Sequence, residues 1–110
     1  MTTRTLQILL ALLDGPLPGY GIKQSVEDRT EGRVRLGSGT LYEAVHRLVE
    51  AGHIEEVAPP ESEPPSGGPP RRFYALTVEG RTALADEVRR LDSLVSYAKA
   101  RDLLSRASGS

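Results

Sequence analysis

Between Leu36 and Ile54 the chain reads LGSGTLYEAVHRLVEAGHI, and this pattern admits one short helix with a sharp start and a sharp stop. Ser38 is placed to cap the start, because a serine oxygen there accepts from a free amide of the first turn. Gly52 stands where helices commonly end in a left-handed residue. Stepped at about 100° per residue, Leu41, Ala44, Val45, Leu48 and Val49 gather on one side. Gly39, Tyr42, Glu43, His46, Arg47 and Glu50 gather on the other. A helix that only packs a core has no use for Gly, Thr, Tyr, His and Arg at its first turn and outer face. A helix lying in a DNA major groove does, since its N-terminal residues meet base edges and phosphates.

The flanking segments supply a frame for that helix. Thr3 to Leu13 reads as a first helix, with Leu6, Leu9, Leu10 and Leu13 at the spacing of a buried stripe. Asp14-Gly15-Pro16-Leu17-Pro18-Gly19 ends it in a tight turn. A second helix follows from Tyr20 to about Arg29, with Ile22 and Val26 inward, and Val34 with Leu36 forms a short extended stretch. Ile54–Val57 and Phe73–Leu76 read as two strands joined by a Pro-rich, apolar-poor connection over 58–70, expected to be mobile. Thr77 caps a last helix running from Val78 to about Arg106, with Glu79 in its first turn complementing the helix dipole.

On that helix Leu84, Val88, Leu91, Val95 and Ala98 recur in steps of 4, 3, 4 and 3, a heptad seam. At about 1.5 Å per residue the helix is roughly 40 Å long, more than so small a domain covers by itself. A partner helix, from a second copy of the chain, is therefore expected on the seam. The fold class expected is mainly α with a small β-hairpin: a winged helix-turn-helix plus a long C-terminal dimerisation helix. The organisation expected is a DNA-binding unit over 1–77 with its wing loop at 58–70, the dimerisation helix over 78–106, and a disordered tail at 107–110.

Composition removes several classes of function. The chain has no cysteine, so disulfides and thiolate chemistry are out. No apolar run is long enough to span a membrane, and the N-terminus lacks a signal-peptide layout, so a cytoplasmic protein is expected. There is no Gly-rich phosphate loop with a lysine, and Gly37-Ser38-Gly39 is not a nucleophile elbow, so no enzyme is expected. His46 and His53 are the only histidines, and neither a metal nor a cofactor is expected. The net charge of −1 is unfavourable for a nucleic-acid binder, which usually carries a basic surplus. Placement matters more than the sum.

Candidate DNA contacts follow from the motif. Tyr42 on the polar face either touches a phosphate or sugar, or packs half-buried against the wing. Thr40 and Ser38 either hold a phosphate at the helix N-terminus or simply cap it. Arg47 and His46 are the candidates for groove contact, with an ordinary surface histidine as the alternative for His46. Tyr20 and Lys23 open the second helix, which in this motif crosses the backbone. Arg71 and Arg72 at the wing base suit phosphates, or else balance the acidic wing tip.

Three stretches, ILLALLDGPLPGYGI (Ile8 to Ile22), LGSGTLYEAVHRLVEAGHIE (Leu36 to Glu55) and RRFYALTVEGRTAL (Arg71 to Leu84), together resemble the PadR family of bacterial transcriptional regulators. The resemblance implies a dimeric repressor whose first and last helices build the dimer, through Leu6 and Leu9 with the seam residues. It implies that the second and third helices and the wing bind a pseudo-palindromic operator in double-stranded DNA. The short final region resembles the compact branch of the family. The chain lacks tryptophan, so the flat-ligand sandwich of the drug-sensing branch is not carried over. Glu61 and Glu63 make the wing more acidic than the family's short basic tip. An effector near Leu94 or Tyr97, between the last and third helices, rests on family behaviour alone. The competing function is a winged-helix protein-interaction module that does not touch DNA, which a salt-insensitive or absent DNA interaction would favour.

Overall fold

Proline and glycine divide the chain where its helices stop. The computed structural model describes residues 1–61 and 72–104. Its elements run α1 (Thr3–Ala11), β1 (Leu17–Pro18), α2 (Gly19–Arg29), α3 (Ser38–Glu50), β2 (Ile54–Val57), β3 (Phe73–Leu76) and α4 (Val78–Ala100). This is the expected winged helix-turn-helix with a long last helix. Most of the wing connection (62–70), Arg71, and the tail at 107–110 lie outside the described residues. Among the described residues no helix is long and apolar enough to cross a membrane.

The hairpin carries a third strand, in the segment expected to be a turn. The sheet order is β1-β3-β2, all antiparallel, with Leu17 opposite Tyr74 and Ile54 opposite Leu76. A two-residue strand has no periodicity to detect. Pro18 is tolerated in it because β1 is an edge, where a missing N–H need not interrupt a ladder. Val34 to Leu36 forms no strand; Leu36 instead turns into the core, 3% exposed.

Ile8, Leu9, Ile22, Val26 and Ile54 form the driest part of that core. The buried face of α1 is Ile8, Leu9, Ala11 and Leu12, rotated from the expected stripe, and Leu13 is left 41% exposed in the turn after the helix. The run ILLALL is apolar on nearly every side, so periodicity does not choose between adjacent faces. Arg29 ties α2 to α1, donating through Nη2 to the Gln7 backbone carbonyl at 2.8 Å and through Nε to Gln7 Oε1 at 3.0 Å.

The end of α3 is joined to the start of α4. Gly52 adopts φ +79°, and the amides of Gly52 and His53 donate back to Val49 and Leu48 carbonyls, both at 3.0 Å. This satisfies carbonyls that the helix end leaves open. Thr77 then uses three groups at once. Its amide donates to the His53 carbonyl at 3.1 Å, its hydroxyl donates to the Gly52 carbonyl at 2.5 Å, and its hydroxyl oxygen accepts from Gly80 N at 3.0 Å. Gly80 lies so close to this turn that a Cβ there would collide with the His53 carbonyl oxygen.

Only Gly80 and Leu84 of α4 are buried; from Ala85 to Ala100 no residue is. The helix stops at Ala100 rather than near Arg106, with Arg101 as C-cap and Asp102 at φ +60°. Its 23 residues give about 35 Å of helix at the standard rise. Leu84 (3% exposed) and Leu9 (0%), both expected at the dimer interface, are buried in the protomer's own core. Neither side chain has surface left for a second chain.

Gly80→Ala is expected to lower stability by about 2 kcal/mol or more, because overpacking against a backbone oxygen outweighs alanine's better helix propensity. Thr77→Ala, which removes the cap, is expected to cost about 1 kcal/mol. Urea unfolding checks both; a Gly80→Ala variant more stable than the parent would overturn the close approach.

Candidate nucleic-acid interface

Among the described residues the four helices start in two different ways. Thr2 caps α1 by accepting from Thr5 N at 3.1 Å, and Thr77 caps α4. α2 begins after Pro18 and α3 after Gly37, and neither has a side-chain cap. Ser38 is therefore not the N-cap. It is the first helical residue, since Leu41 N donates to the Gly37 carbonyl at 2.8 Å. A helix N-terminus without a side-chain cap keeps amides available to solvent or to an anion.

The start of α2 lies against a side chain of α3. A Cβ at Gly19 would lie 3.1 Å from Tyr42 Oη, so the Tyr42 ring lies against the first residue of α2. Beyond it, Tyr42, Val45, His46 and Val49 of α3 face Glu56 and Arg72 of the wing and Tyr74 across a groove of about 330 Å³. Tyr42 thus bridges α2 and the wing base while remaining 55% exposed. Packing and exposure, which the sequence leaves as alternatives, coexist in one ring.

Along α3 the buried face is Leu41, Val45 and Leu48, while Ser38, Gly39, Thr40, Tyr42, Glu43, His46, Arg47 and Glu50 are exposed. Val49, expected inward, is 39% exposed at the groove. Arg47 Nη2 meets Glu43 Oε1 at 2.6 Å and His46 Nε2 meets Glu50 Oε1 at 3.0 Å. Arg72 Nε lies 3.8 Å from Glu56 Oε1. Tyr20 is 56% exposed at the start of α2, and Lys23 is half-buried one turn later. Tyr42, His46 and Arg72 line this one groove, Ser38, Thr40 and Arg47 lie on the exposed face of α3, and Tyr20 and Lys23 lie on α2; Arg71 is outside the described residues.

Sequence reasoning missed Gly19 as the seat of Tyr42, and Glu56 with Tyr74 as the far wall of the groove. The strand Ile54-Glu55-Glu56-Val57 has two adjacent glutamates and no alternation from which to assign Glu56 to a face. Tyr74 is buried, and that burial, with the Glu56 carboxylate next in weight, pushes its phenol above the ordinary value of 10.0; Arg72 opposes the rise. Among the described residues no group of three or more His, Asp or Glu is placed to hold a metal ion.

A family model described as transcriptional regulator PadR-like matches residues 8–86. Among solved structures, the chain is similar to a PadR family transcription regulator from Clostridium difficile, with TM-score 0.71 and 23% identity over 90% of this chain and 97% of that one. It is similar to a PadR-like transcription factor from Bacteroides fragilis, with TM-score 0.69 and 25% identity over 87% and 86% of the two chains. It is also similar to Bacillus subtilis PadR, solved in complex with operator DNA, with TM-score 0.66 and 21% identity over 79% of this chain and 47% of that one. No curated protein matches the chain significantly.

The groove is testable without a ligand. A phenol with a raised folded-state pKa ionises more readily once the chain unfolds, so its contribution is constant below about pH 10 and stability falls as pH rises past that point. Tyr74→Phe is expected to remove that part of the alkaline destabilisation. In a phenolate absorbance titration of the folded protein, the same substitution should delete a step above the ordinary tyrosine range.

Proposed function

The chain belongs to the PadR-like family of transcriptional regulators, and from that premise we propose that it is a homodimeric repressor binding a pseudo-palindromic operator. The observation that carries the reading is the exposed face of α3, which starts without a side-chain cap, seats Tyr42 on the first residue of α2 and faces the wing base across a groove. In this proposal α3 lies in a major groove. Arg47 and His46 leave their glutamates to reach base edges, and Tyr42 meets the backbone. The first-turn amides of α2 and α3, with Ser38, Thr40, Tyr20 and Lys23, hold phosphates, and Arg71 and Arg72 hold the flanking strand. The likeness to Bacillus subtilis PadR, solved with operator DNA, supports the same use of the fold.

The dimer is proposed to form along α4. Val88 and Val95 are 43% and 42% exposed, Leu91 and Ala98 are half-buried between them, and Leu6 of α1 is half-buried at the edge of the core. Leu94 and Tyr97 are more exposed still, and Arg101 stacks on the Tyr97 ring 3.5 Å from its centroid. So much apolar surface on one protruding helix favours burial against a second copy. A small-molecule effector near Leu94 and Tyr97 would act by changing the distance between the two α3 helices. A cytoplasmic location accords with this role.

Selection of bound sequences from a random duplex pool at fixed salt tests the proposal, with two half-sites about one helical turn apart as the expected outcome. Arg72→Ala should weaken binding and flatten the salt dependence, by about 0.9 in log–log slope for each phosphate that is no longer neutralised, and Arg47→Ala should weaken operator binding. Val88→Asp with Val95→Asp should give monomers in sedimentation and abolish operator affinity. Salt-insensitive or absent binding would favour the protein-interaction module instead.

A further inference from the structure

We infer that Glu43, Glu50 and Glu56 are specificity-determining residues of this interface, suppressing sequence-independent attachment to the DNA backbone. The inference rests on the DNA-binding reading above and goes beyond it. The three basic side chains that the exposed face of α3 and the described wing base present are each paired with a carboxylate: Arg47 with Glu43, His46 with Glu50, and Arg72 with Glu56. Two matches lie within a helix at i, i+4, while the third joins β2 to the residue before β3 within the wing, so one local helix rule does not produce all three.

The chain as a whole carries 14 Lys and Arg against 15 Asp and Glu, so no basic surplus elsewhere supplies the missing attraction. Non-specific affinity for DNA is almost wholly phosphate neutralisation and counterion release. A phosphate approaching Arg47 meets the Glu43 carboxylate 2.6 Å from the same guanidinium, and must displace it against like-charge repulsion. Side chains of all six partners are more than half exposed, so the pairs are weakly held and open readily. Base-edge hydrogen bonds made at a correct site compensate the exchange of carboxylate for DNA. A phosphate alone does not. The arrangement lowers binding to any duplex, and lowers it least where the bases fit.

The test compares wild type, the triple variant Glu43→Gln/Glu50→Gln/Glu56→Gln, and Asp86→Asn. Asp86 makes a comparable i, i+3 pair with Arg89 on α4 and serves as the charge control. Affinity is measured across a salt series for the selected operator and for an unrelated duplex of equal length. The triple variant should bind the unrelated duplex about twofold to fivefold more tightly for each protomer engaged, with a steeper salt slope. The ratio of operator to unrelated affinity should fall, while Asp86→Asn leaves both unchanged.

Unaltered unrelated-duplex binding in a triple variant of parental thermal stability would overturn the inference, as would an equal rise in Asp86→Asn. A drop in operator affinity with no rise on the unrelated duplex would also overturn it, and would make the glutamates base readers. If wild type binds neither duplex at any salt, the DNA-binding reading itself fails and this inference with it. That result is distinct from every outcome in which wild type binds.

Discussion

The turn from Gly52 to His53 holds the rest of the structure in register. Its two carbonyls receive the Thr77 hydroxyl and the Thr77 amide, and Gly80 packs against it with no room for a methyl group. The end of α3, the foot of β2, the foot of β3 and the start of α4 therefore meet at one point. The start of α4 and the end of α3 are thereby tied to the same turn. A lever of about 35 Å whose buried residues are confined to its first two turns is anchored there. In a dimer built along α4, the same junction would set how far apart the two α3 helices stand.

The helix starts divide the molecule by purpose. α1 and α4, which build the frame, are closed by threonine side chains. α2 and α3, which carry the candidate contacts, are entered through proline and glycine and have no side-chain cap. The surface around them is charge-matched rather than basic, with carboxylates beside Arg47, His46 and Arg72. Net charge alone argues against nucleic acid. The pairing changes that argument, because a neutralised face still offers hydrogen-bond donors to a partner whose geometry makes the exchange favourable.

Much of this is legible in the residues. The helix and strand order, the left-handed Gly52, the Thr77 cap and the inward Ile22 and Val26 all follow from local rules of propensity, capping and period. Where local rules conflict or are silent, they do not decide the outcome. Ser38 and Gly37 both suit the start of α3, and the glycine holds the cap position. The apolar run of α1 has no distinct face, so periodicity sets neither its burial phase nor the place of Leu9 inside the core. β1 is too short to have a pattern, and α4 stops at Ala100 because Arg101 and Asp102 turn away from helical geometry.

By itself, then, the sequence determined the four helices, the two hairpin strands and the family of folds they assemble into, because the elements with a clear period or cap depend on neighbours within about one helical turn. Tertiary structure decided what no local window contains. It seated Tyr42 on Gly19, set Glu56 and Tyr74 opposite α3, pressed Gly80 onto His53, and claimed Leu9 and Leu84 for the protomer's own interior. Each of these is a meeting of residues distant in the chain, and its existence depends on how the elements close around a shared core.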